Sequence, residues 1–487
     1  MDQEVGGSNP PNCTKIQIMS ENKKLNPELP SGFKDRINEE LLLRDEIISL
    51  IKNNFILNGF DQLETSSFEY SDVIGKFLPD QDRPQSGVFS IKDENDWISL
   101  RYDLTAPLAR YVAKNYDLLP RPFKRFQVGQ VWRNEKPGPG RFREFIQFDI
   151  DIVGDSNVQY DADLCLVISD TLNKIGLKNQ DFKIRINNRK LLQGLLEDLK
   201  ILDYKQIQST LRAIDKLDRV GIKGVELLLG NGRKDKSGDF TKGAELKKNQ
   251  IDKIISFLDF KDFNKITPLN EIFSEGIKEL IIIKNYFELF NFKNFVFDPT
   301  VIRGLDYYTG PIFEANLSFK VKNEKNVNIE FGSIGGGGRY DKLVNRFKNL
   351  NAPATGFSIG IDRLIYALLQ YENLKIKNII GPIVICNLDE AYLGYYRQIL
   401  SKLRDANICS EIYLGKNSLK NQLKYADKRK SPYVIICGED EVKNNEVTIK
   451  NLKDTDKIND AINREDWKSS SKQKKCSIES FLKEIKI

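Results

Sequence analysis

The most regular alternation of apolar and polar positions lies at residues 143–153, REFIQFDIDIV. Successive side chains of a strand point to opposite faces, so this segment sorts into two surfaces. The first surface is entirely apolar and consists of Ile146, Phe148, Ile150 and Ile152. The second combines charge, one amide and one aromatic ring, and consists of Arg143, Phe145, Gln147, Asp149 and Asp151. The pattern predicts a strand with one core face and one polar face.

A second strand is predicted just before it, at 124–133 (KRFQVGQVWR), and a loop rich in turn formers joins the two. That loop contains residues 136–140 (KPGPG), which favours a hairpin. Arg133, Arg141 and Arg143 flank the loop. An ordinary solvated strand face would not need such a loop beside three arginines, so we interpret the polar face as part of a binding site.

Helical and extended patterns alternate before the hairpin. Apolar residues recur at helical spacing over 34–58, and Gly59 is placed to end that helix. A short strand is predicted at 62–66 and another at 97–105 (WISLRYDLT). Residues 106–116 then predict a helix.

Three patterns follow the hairpin. Residues 190–297 are rich in Lys, Leu and Asp and predict an inserted helical module. Strands are predicted at 311–319 and 327–334, with a glycine run directly after the second one. A junction from strand to helix is predicted at 355–370 (TGFSIGIDRLIYALLQ).

The pattern changes again from residue 382 onward. A strand, a helix at 389–406, a strand, a helix at 418–429 and two further strands alternate, which indicates a separate α/β domain. Residues 464–487 are expected to form a polar linker and a short tail helix. At the other end, residues 1–29 are expected to be a disordered extension.

The composition narrows the chemistry, because the 487-residue chain contains no histidine. This excludes Ser-His-Asp triads, Cys-His dyads and HExxH metal sites. Proton transfer is left to carboxylates, a perturbed Lys or Cys, or the substrate itself. Lys and Arg number 75 against 69 Asp and Glu, and the resulting net charge of +6 permits an anionic partner without requiring one. The six cysteines form no CxxC pair, and we interpret them as reduced intracellular thiols.

Two further segments carry candidate chemistry. Residues 335–341 (GGGGRYD) fit neither a dinucleotide-binding loop nor a Walker loop. A tight structural turn is the simpler explanation, and close approach of the backbone to a ligand is the alternative. Residues 303–310 (RGLDYYTG) place a guanidinium among apolar flanks, where it needs an anion. That anion is either a ligand or the neighbouring Asp306.

Together these motifs resemble those of histidyl-tRNA synthetases, a family of class II aminoacyl-tRNA synthetases. RNE at 133–135 with RFREF at 141–145 resembles class II motif 2, and GFSIGIDR at 356–363 resembles motif 3. VIRGLDYYTG and GGGGRYD resemble the two histidine-specific signatures of the family. LRYDLTAPLARY, FREFIQFDIDIVG and the C-terminal segment 423–452 are also similar to it. The resemblance runs from Pro30 to Leu452.

The resemblance implies an α+β class II core, a mixed and mostly antiparallel sheet flanked by helices, over residues 30–375. The helical insertion at 190–297 would lie within it, and an α/β anticodon-binding domain would occupy 381–463. The implied activity is ATP-dependent ligation of L-histidine to tRNA(His) through a histidyl-adenylate. The alternative is a non-catalytic paralogue that senses histidine or tRNA with the same core.

The ATP-binding residues implied by the resemblance are Arg133, Glu135, Arg141, Arg143, Phe145 and Arg363. Arg133 would hold the α-phosphate, and Glu135 would receive the adenine amino group. Phe145 would stack on the adenine ring, while Arg363 would cover its opposite face and reach the γ-phosphate. Arg141 or Arg143 would contact the outer phosphates.

The histidine-binding residues implied by the resemblance are Asp103, Thr105, Gln147, Asp151, Arg303, Tyr307, Tyr308 and Tyr340. Asp151 and Tyr308 would bind the two imidazole nitrogens, and Tyr340 would close the pocket. Asp103 and Thr105, predicted to share one strand face, would hold the α-ammonium group. Gln147 would contact the amino or carboxylate group. Arg303, which with Arg133 forms the implied catalytic pair, would bridge the α-phosphate and the substrate carboxylate.

The spacing along the predicted polar face fits such a ligand. Phe145 and Asp151 are six residues apart, roughly 20 Å at ~3.3 Å per residue, which is about the length of an aminoacyl-adenylate. Three positions depart from common family patterns. Ser66 stands where motif 1 normally has proline, Asp362 stands where Glu is commoner, and Asp103 is shorter than the Glu of many bacterial members.

The remaining expectations concern cofactors, partners and location. The resemblance implies ATP with Mg²⁺ as a substrate complex, and neither zinc nor a prosthetic group. It implies a cytoplasmic homodimer whose partners are tRNA(His), L-histidine and ATP. No membrane association is expected, because no apolar run approaches the ~18 residues of a membrane-spanning helix.

Overall fold

The computed structural model describes residues 26–75, 87–234, 238–260, 262–302, 307–329, 331–371, 381–452 and 473–485. The chain divides into two compact units, Met1–Leu374 and Lys375–Ile487. Arg303, most of the expected extension at 1–29 and much of the expected linker at 464–487 lie outside the described residues.

The first unit contains both helices and strands throughout its length. Its helices, in chain order, are α1 (Asn38–Leu57), α2 (Ser71–Gly75), α3 (Thr105–Asn115), α4 (Gln159–Ile175), α5 (Arg189–Asp198), α6 (Tyr204–Ile214), α7 (Leu217–Leu229), α8 (Lys248–Leu258), α9 (Glu271–Leu289) and α10 (Ile361–Leu368). Its strands are β1 (Asp61–Gln62), β2 (Phe68–Tyr70), β3 (Ser90–Asp93), β4 (Asp96–Leu100), β5 (Phe123–Trp132), β6 (Glu144–Val153), β7 (Phe182–Asn188), β8 (Gly232–Lys234), β9 (Phe240–Lys242), β10 (Phe295–Phe297), β11 (Pro311–Leu317), β12 (Val321–Lys322), β13 (Asn328–Ile329), β14 (Ser333–Arg339) and β15 (Ala354–Gly360).

The main sheet of this unit has the strand order β1-β5-β6-β15-β14-β11-β7-β10. Its central strands are antiparallel, and only the outer pairs β1–β5 and β7–β10 are parallel. The predicted mixed, mostly antiparallel sheet is therefore confirmed.

The apolar face of β6 lies in the main core, as its alternation predicts. Phe148, Ile150 and Ile152 are buried there together with residues of α1 and α4, such as Phe55 and Leu164. The predicted helix over 34–58 is α1, which begins four residues later and ends at Leu57. Gly59 follows it with a φ of +76°, the left-handed conformation that a glycine adopts at little cost.

The predicted strand at 97–105 is wrong in its second half. Strand β4 ends at Leu100 and α3 begins at Thr105, so Asp103 lies at the entrance to a helix. Its Oδ1 accepts hydrogen bonds from the backbone N–H groups of Thr105 (3.2 Å) and Ala106 (2.9 Å). A short carboxylate competes well for these free donors of the first helical turn, which explains the change of structure. Asp103 and Thr105 therefore do not share a strand face.

The predicted strand at 62–66 is also shorter than expected, because β1 covers only Asp61–Gln62. The guanidinium of Arg101 lies beside the following segment, and its Nη1 donates to the carbonyls of Thr65 (2.7 Å) and Ser66 (3.3 Å). A side chain thus satisfies carbonyl groups that a longer strand would have paired with another strand.

The glycine run is not a turn after a strand, since residues 335–338 lie inside β14 in the middle of the main sheet. The predicted strand at 327–334 is replaced by the short β13 and the start of β14. A Cβ at Gly337 would overlap the carbonyl oxygen of Gly356 on the neighbouring strand. The close backbone approach, rather than the turn, is the reason for glycine here.

Between residues 190 and 297 the structure contains most of α5 and all of α6 to α9. The sequence pattern indicated helices only, but the segment also includes the β8–β9 hairpin, and β10 joins the main sheet beside β7. Helices α5 and α9 begin with the side-chain caps that short polar residues provide, Asn188 and Asn270.

The second unit contains the alternation of strands and helices that the sequence predicts. Its elements are β16 (Ile383–Ile385), α11 (Leu393–Asp405), β17 (Ser410–Ile412), α12 (Leu419–Lys428), β18 (Tyr433–Ile436), α13 (Glu439–Asn444), β19 (Val447–Asn451), β20 (Gln473–Cys476) and α14 (Ile478–Glu484). The sheet order is β17-β16-β18-β19-β20, with the first three strands parallel. Residues 473–475, expected in a polar linker, instead belong to β20, which pairs antiparallel with β19. The lysines of β20 make this edge strand charged, and for this reason its sequence resembles a polar linker.

Candidate active site

Three strands present a polar grid on one face of the main sheet. Residues directly opposite each other in an antiparallel ladder point to the same side, so the register groups side chains into rows. The rows across β5, β6 and β15 are Arg125–Asp151–Gly356, Gln127–Asp149–Ser358 and Gly129–Gln147–Gly360. The polar face of β6 is thus bordered by Arg125 and Gln127 on β5 and by small residues on β15.

Glycines make room for the side chains of this grid. A Cβ at Gly356 would overlap the carboxylate of Asp151, which lies over that backbone position. Gly338 stands opposite Gly356 in the β14–β15 ladder, and a Cβ there would lie 2.9 Å from Cδ1 of Tyr308. The glycine run and the motif 3 glycine therefore create the space that the carboxylate and the phenol ring occupy.

Asp151 is held at one end of the grid and is only 2% exposed. The hydroxyl of Tyr340 donates a hydrogen bond to its Oδ1, and Nη2 of Arg125 lies 2.7 Å from its Oδ2. Burial raises the pKa of Asp151, whereas Arg125 and the Tyr340 hydroxyl act to lower it.

Tyr307 and Tyr308 lie at the same end of the grid. The Tyr307 ring is 4.8 Å from the Tyr308 ring and meets the Tyr340 ring edge-on at 5.9 Å. The structure therefore brings together Asp151 and the three tyrosines that the sequence assigned to histidine.

The middle of the grid contains a connected set of polar groups. Nε2 of Gln147 donates to the Ser358 hydroxyl (2.6 Å), and Ser358 stands opposite Asp149 in the β6–β15 ladder. Burial and the neighbouring Asp151 raise the pKa of Asp149 to about 7, although Arg125 and Ser358 oppose this rise. Asp149 is thus poised between its neutral and ionised forms near physiological pH.

Arg133 lies at the opposite end of the grid, between two aromatic rings. Its guanidinium carbon is 4.4 Å from the Tyr102 ring centre and 5.1 Å from that of Phe145, and its Nε donates to the Tyr102 carbonyl (3.2 Å). Cation–π contacts of this kind hold a guanidinium in a defined plane. The Tyr102 hydroxyl donates to the Glu135 carboxylate, and burial raises the pKa of Tyr102.

Asp103 interacts electrostatically with a cation at each end of the grid, because Arg125 and Arg133 both lower its pKa. Burial is the larger influence and raises that pKa overall. Thr105 is half-buried and its backbone N–H is bound to Asp103. The two residues are therefore close in space, through a helix cap instead of a shared strand face.

The arginines of the hairpin loop and of α10 form a cationic group. Nε of Arg143 donates to the Glu135 carbonyl (3.2 Å). Nε of Arg363 donates to the Ser333 carbonyl (2.7 Å), and its guanidinium carbon lies 4.0 Å from the Phe331 ring centre. Burial and the nearby Arg141 lower the pKa of Arg363 to about 10. Two cations that repel each other in this way form a suitable site for a polyanion.

The segment that contains Arg303 is anchored on both sides by described residues. Nη1 of Arg189 donates to the Ile302 carbonyl (3.4 Å) before it. After it, the Thr309 N–H donates to the Arg339 carbonyl (2.8 Å), next to Tyr340. Arg303 itself lies outside the described residues, so its predicted role stays a prediction.

Sequence reasoning missed Arg125, Ser358 and Tyr102, all of which contact residues it did assign. The alternation of β5 could have placed Arg125 on the polar side, because it lies two residues before Gln127 and four before Gly129. Only the register to β6 shows that its partner is Asp151.

Neither a metal-binding cluster nor a membrane-spanning helix occurs in the part of the chain that the structure describes. No group of three or more Cys, Asp or Glu side chains is arranged to hold a metal ion there. No helix in those ranges is long and apolar enough to cross a membrane.

Comparison with known proteins identifies the family. The family model for histidyl-tRNA synthetase matches residues 32–364, and that for an anticodon-binding domain matches residues 382–486. A histidine–tRNA ligase of Bartonella henselae is 47% identical over 470 residues, covering 93% of this chain and 95% of the relative. A histidine–tRNA ligase of Brucella suis is 46% identical over 445 residues, covering 88% of this chain and 89% of the relative.

A solved structure agrees with this relationship. The crystal structure of histidyl-tRNA synthetase from Nostoc sp. PCC 7120 has a TM-score of 0.69 and 27% identity to this chain. It covers 95% of this chain and 100% of the Nostoc chain. The match of a family model over most of the chain, together with relatives close to half identical over nearly its full length, shows that the chain belongs to the histidyl-tRNA synthetase family.

Proposed function

We infer that the chain is a histidine–tRNA ligase, which joins L-histidine to tRNA(His) with ATP as the energy source through a histidyl-adenylate. The observation that carries this function is the polar face of β6, with Phe145 beside Arg133 at one end and Asp151 between Arg125 and Tyr340 at the other. A nucleotide end and an amino-acid end are therefore joined by one strand. The full-length relatives named histidine–tRNA ligase support the same activity.

ATP is a substrate of the enzyme, and its binding residues are proposed from the Arg133 end. Arg133 is placed to hold the α-phosphate, because the bond from its Nε to the Tyr102 carbonyl and the nearby Tyr102 and Phe145 rings fix its guanidinium at this end of the grid. Phe145 would stack on adenine and Glu135 would receive its amino group. Arg363 would cover the other face of adenine, and Arg141 or Arg143 would contact the outer phosphates, which need the cationic character of this group.

Histidine would bind at the Asp151 end. Asp151 would accept one imidazole N–H, and Tyr308 would bind the other ring nitrogen. Tyr307 and Tyr340 would complete the aromatic wall, while Asp103, Thr105 and Gln147 would bind the α-ammonium and carboxylate groups. A buried oxygen of Gln147, Oε1, has no partner among the described residues, as expected for a group that awaits a ligand.

The adenylation step requires no protein base. The substrate carboxylate is already ionised at neutral pH, and its oxygen attacks the α-phosphorus while pyrophosphate leaves. Negative charge grows on the phosphoryl oxygens, so cations fixed in advance lower the barrier. Arg133 and Arg303 are the proposed cations, with Arg303 bridging the α-phosphate and the carboxylate. This chemistry suits a chain without histidine.

Mg²⁺ would accompany the outer phosphates of ATP as part of the substrate. We expect neither zinc nor a prosthetic group to take part when the histidyl group is transferred to tRNA.

We assign tRNA recognition to both units. We propose that the anticodon-binding domain begins at residue 381 and extends beyond the expected end at 463, because that family model matches residues 382–486 and β20 pairs with β19. Residues 30–375 would be the catalytic domain, and its insertion at 190–297 would contact the acceptor stem through its lysines. We place the reaction in the cytoplasm, where translation uses the product.

A homodimer is proposed from a three-stranded sheet of order β2-β4-β3. One of its faces has an apolar patch, and Phe68, Tyr70 and Ile91 in that patch are 42%, 59% and 55% exposed. Asp93 and Asp96 lie at the end of the same face, and the apolar patch beside them is complementary to its own copy across a two-fold axis, so a second chain is the fitting occupant. Tyr70→Lys should shift the mass measured by light scattering toward the monomer, whereas Phe240→Lys, at another exposed aromatic, should leave it unchanged.

The function is tested by ATP–pyrophosphate exchange with each of the twenty amino acids. Exchange with histidine alone, followed by transfer to tRNA(His), is the expected result. Exchange with a different amino acid would refute the assignment. No exchange at all would favour the non-catalytic paralogue that senses histidine or tRNA.

A further inference from the structure

The most deeply buried cation beside the candidate active site is Arg125, whose side chain is fully buried on β5. A buried guanidinium is costly unless anions and hydrogen-bond acceptors surround it. Its Nη2 reaches the Leu104 carbonyl (3.2 Å) and Oδ2 of Asp151 (2.7 Å). Its Nε and Nη1 have no hydrogen-bond partner among the described residues. The burial of this guanidinium with two nitrogens left without a described partner indicates that the fold requires a positive charge at this position.

The requirement comes from the carboxylates that surround it. Arg125 acts on Asp103, Asp149 and Asp151, and in each case it favours the ionised form against the effect of burial. These carboxylates come from two parts of the fold, since Asp103 precedes α3 while Asp149 and Asp151 lie on β6. One cation therefore opposes the effect of burial on the ionisation of three acids.

We propose that Arg125 is a positioning residue for histidine recognition, which fixes the direction and the ionised state of the Asp151 carboxylate that receives the imidazole N–H. This inference rests on the proposed function. An ionised carboxylate only accepts hydrogen bonds, whereas a protonated one also donates. Loss of the charge on Asp151 would therefore allow the ring to bind in the wrong tautomer or orientation.

The geometry around Asp151 supports this role for Arg125. Nη2 of Arg125 on β5 forms an ion pair with Oδ2 of Asp151, and the Tyr340 hydroxyl, directly after β14, donates a hydrogen bond to Oδ1. Oδ2 accepts no hydrogen bond from the described residues. Gly356 provides the space beneath the carboxylate. With Oδ1 bound by the tyrosine and Oδ2 drawn toward the guanidinium, Oδ2 is left to accept a ring N–H in a single orientation. The Arg125–Asp151 pair is also neutral overall, so it suits an uncharged imidazole.

The test compares Arg125→Gln and Arg125→Lys in ATP–pyrophosphate exchange, with KM for histidine, KM for ATP and kcat measured separately. Arg125→Gln should raise KM for histidine by roughly 10- to 100-fold, the range for losing a polar interaction with a charged group, with little change in KM for ATP. Arg125→Lys keeps the charge but not the planar geometry, so it should recover part of the histidine affinity. Both should lose discrimination between histidine and analogues methylated on either ring nitrogen.

The matched control is Arg110→Gln, which breaks another arginine–carboxylate pair of the same unit. Arg110 binds both oxygens of the buried Glu69, at 2.7 and 2.8 Å. It should lower the thermal unfolding temperature without a selective effect on histidine. If Arg125→Gln and Arg125→Lys raise the KM values for histidine and ATP equally, or no more than this control does, the proposed role is refuted.

A double-mutant cycle keeps the test independent of overall folding. Asp151→Asn removes the group through which Arg125 is proposed to act, so adding Arg125→Lys to it should change KM for histidine by less than about 2-fold. Fully multiplicative effects of the two substitutions would overturn the proposal. Failure of the wild-type protein to exchange with histidine would instead refute the proposed function, so the two failures are distinguishable.

Discussion

Gly356 lies directly opposite Asp151 in the β6–β15 ladder, and a Cβ at that position would overlap Oδ1 of the carboxylate. The glycine of the class II motif 3 segment is thus a spatial requirement of the side chain that is proposed to select histidine. This relationship connects the segment proposed to bind the nucleotide with the side chain proposed to give amino-acid specificity.

Gly356→Ala is expected to displace the Asp151 carboxylate from its position between Arg125 and Tyr340. Overfilling a packed site costs about 1–3 kcal/mol, and part of that cost should appear as weaker histidine binding, with KM raised about 10-fold or more. The measurement is amino-acid-dependent exchange together with thermal unfolding. Gly394→Ala in α11 is the control, because nothing lies within 4 Å of a Cβ there. Unchanged histidine affinity in Gly356→Ala would contradict the role of this glycine.

Asp151→Asn should weaken discrimination among ring analogues more than it weakens adenylation itself. The amide has nearly the same shape, but it presents a donor on one side and cannot pair with Arg125 as an anion. We expect the ratio of kcat/KM for histidine to that for ring-modified analogues to fall by at least ~10-fold. Equal losses for histidine and for all analogues would indicate that Asp151 has only a structural role.

Arg303→Ala should depress adenylation strongly while histidine binding suffers less. Removing one donor to a developing oxyanion costs ~3–4 kcal/mol, a fall of about 10²–10³ in kcat. Single-turnover formation of the adenylate and equilibrium binding of histidine measure the two effects separately. Arg397→Ala, at an exposed position of α11, serves as the control. If rate and affinity fall by the same factor, Arg303 is a binding residue only.

Asp149→Asn should stabilise the fold at high pH. The pKa of Asp149 is about 7 in the folded chain, against ~3.9 for an unfolded chain, so the native state holds the extra proton between these values. The free energy of unfolding therefore falls as pH rises from ~4 to ~7, and this penalty is complete above pH ~7. Asparagine removes the penalty, with a gain on the order of 2 kcal/mol at pH 8 and less at pH 5.

Denaturant unfolding at both pH values measures this difference. Asp117→Asn, where the side chain is 84% exposed, should show no comparable change. A gain for Asp149→Asn that is the same at pH 5 and pH 8 would show that the carboxyl does not titrate in this range.

Local patterns predicted the elements that carry most of the site. The alternation at 143–153 identified both faces of β6, and the turn-forming loop identified its hairpin partner. These succeed because side-chain direction in a strand depends only on the backbone of that strand. The prediction from local patterns was wrong where a side chain altered the backbone, as at Asp103, which binds the first N–H groups of α3. The glycine run was misinterpreted as a turn because glycine is typical both of turns and of crowded strands.

Local sequence patterns did not predict the buried polar network around Asp149 and Asp151. Arg125 resembles a solvated strand residue in the sequence, and it becomes a buried counter-ion only when β6 places Asp151 opposite it. Ser358 likewise gains its role from Gln147 and Asp149, residues that precede it by about two hundred positions. Burial and charge pairing are properties of non-local contacts, and a single segment does not contain them.

The sequence by itself determined the available chemistry, namely arginines, carboxylates and phenols without any histidine, and the motifs that resemble one synthetase family. It also determined which face of β6 is polar. The tertiary structure decided which of those groups meet: Arg125 with Asp151, Ser358 with Asp149, and Gly356 beneath a carboxylate. The reason is that chain geometry sets the direction of a side chain locally, whereas its ionisation and its partner are set by strand register across the sheet.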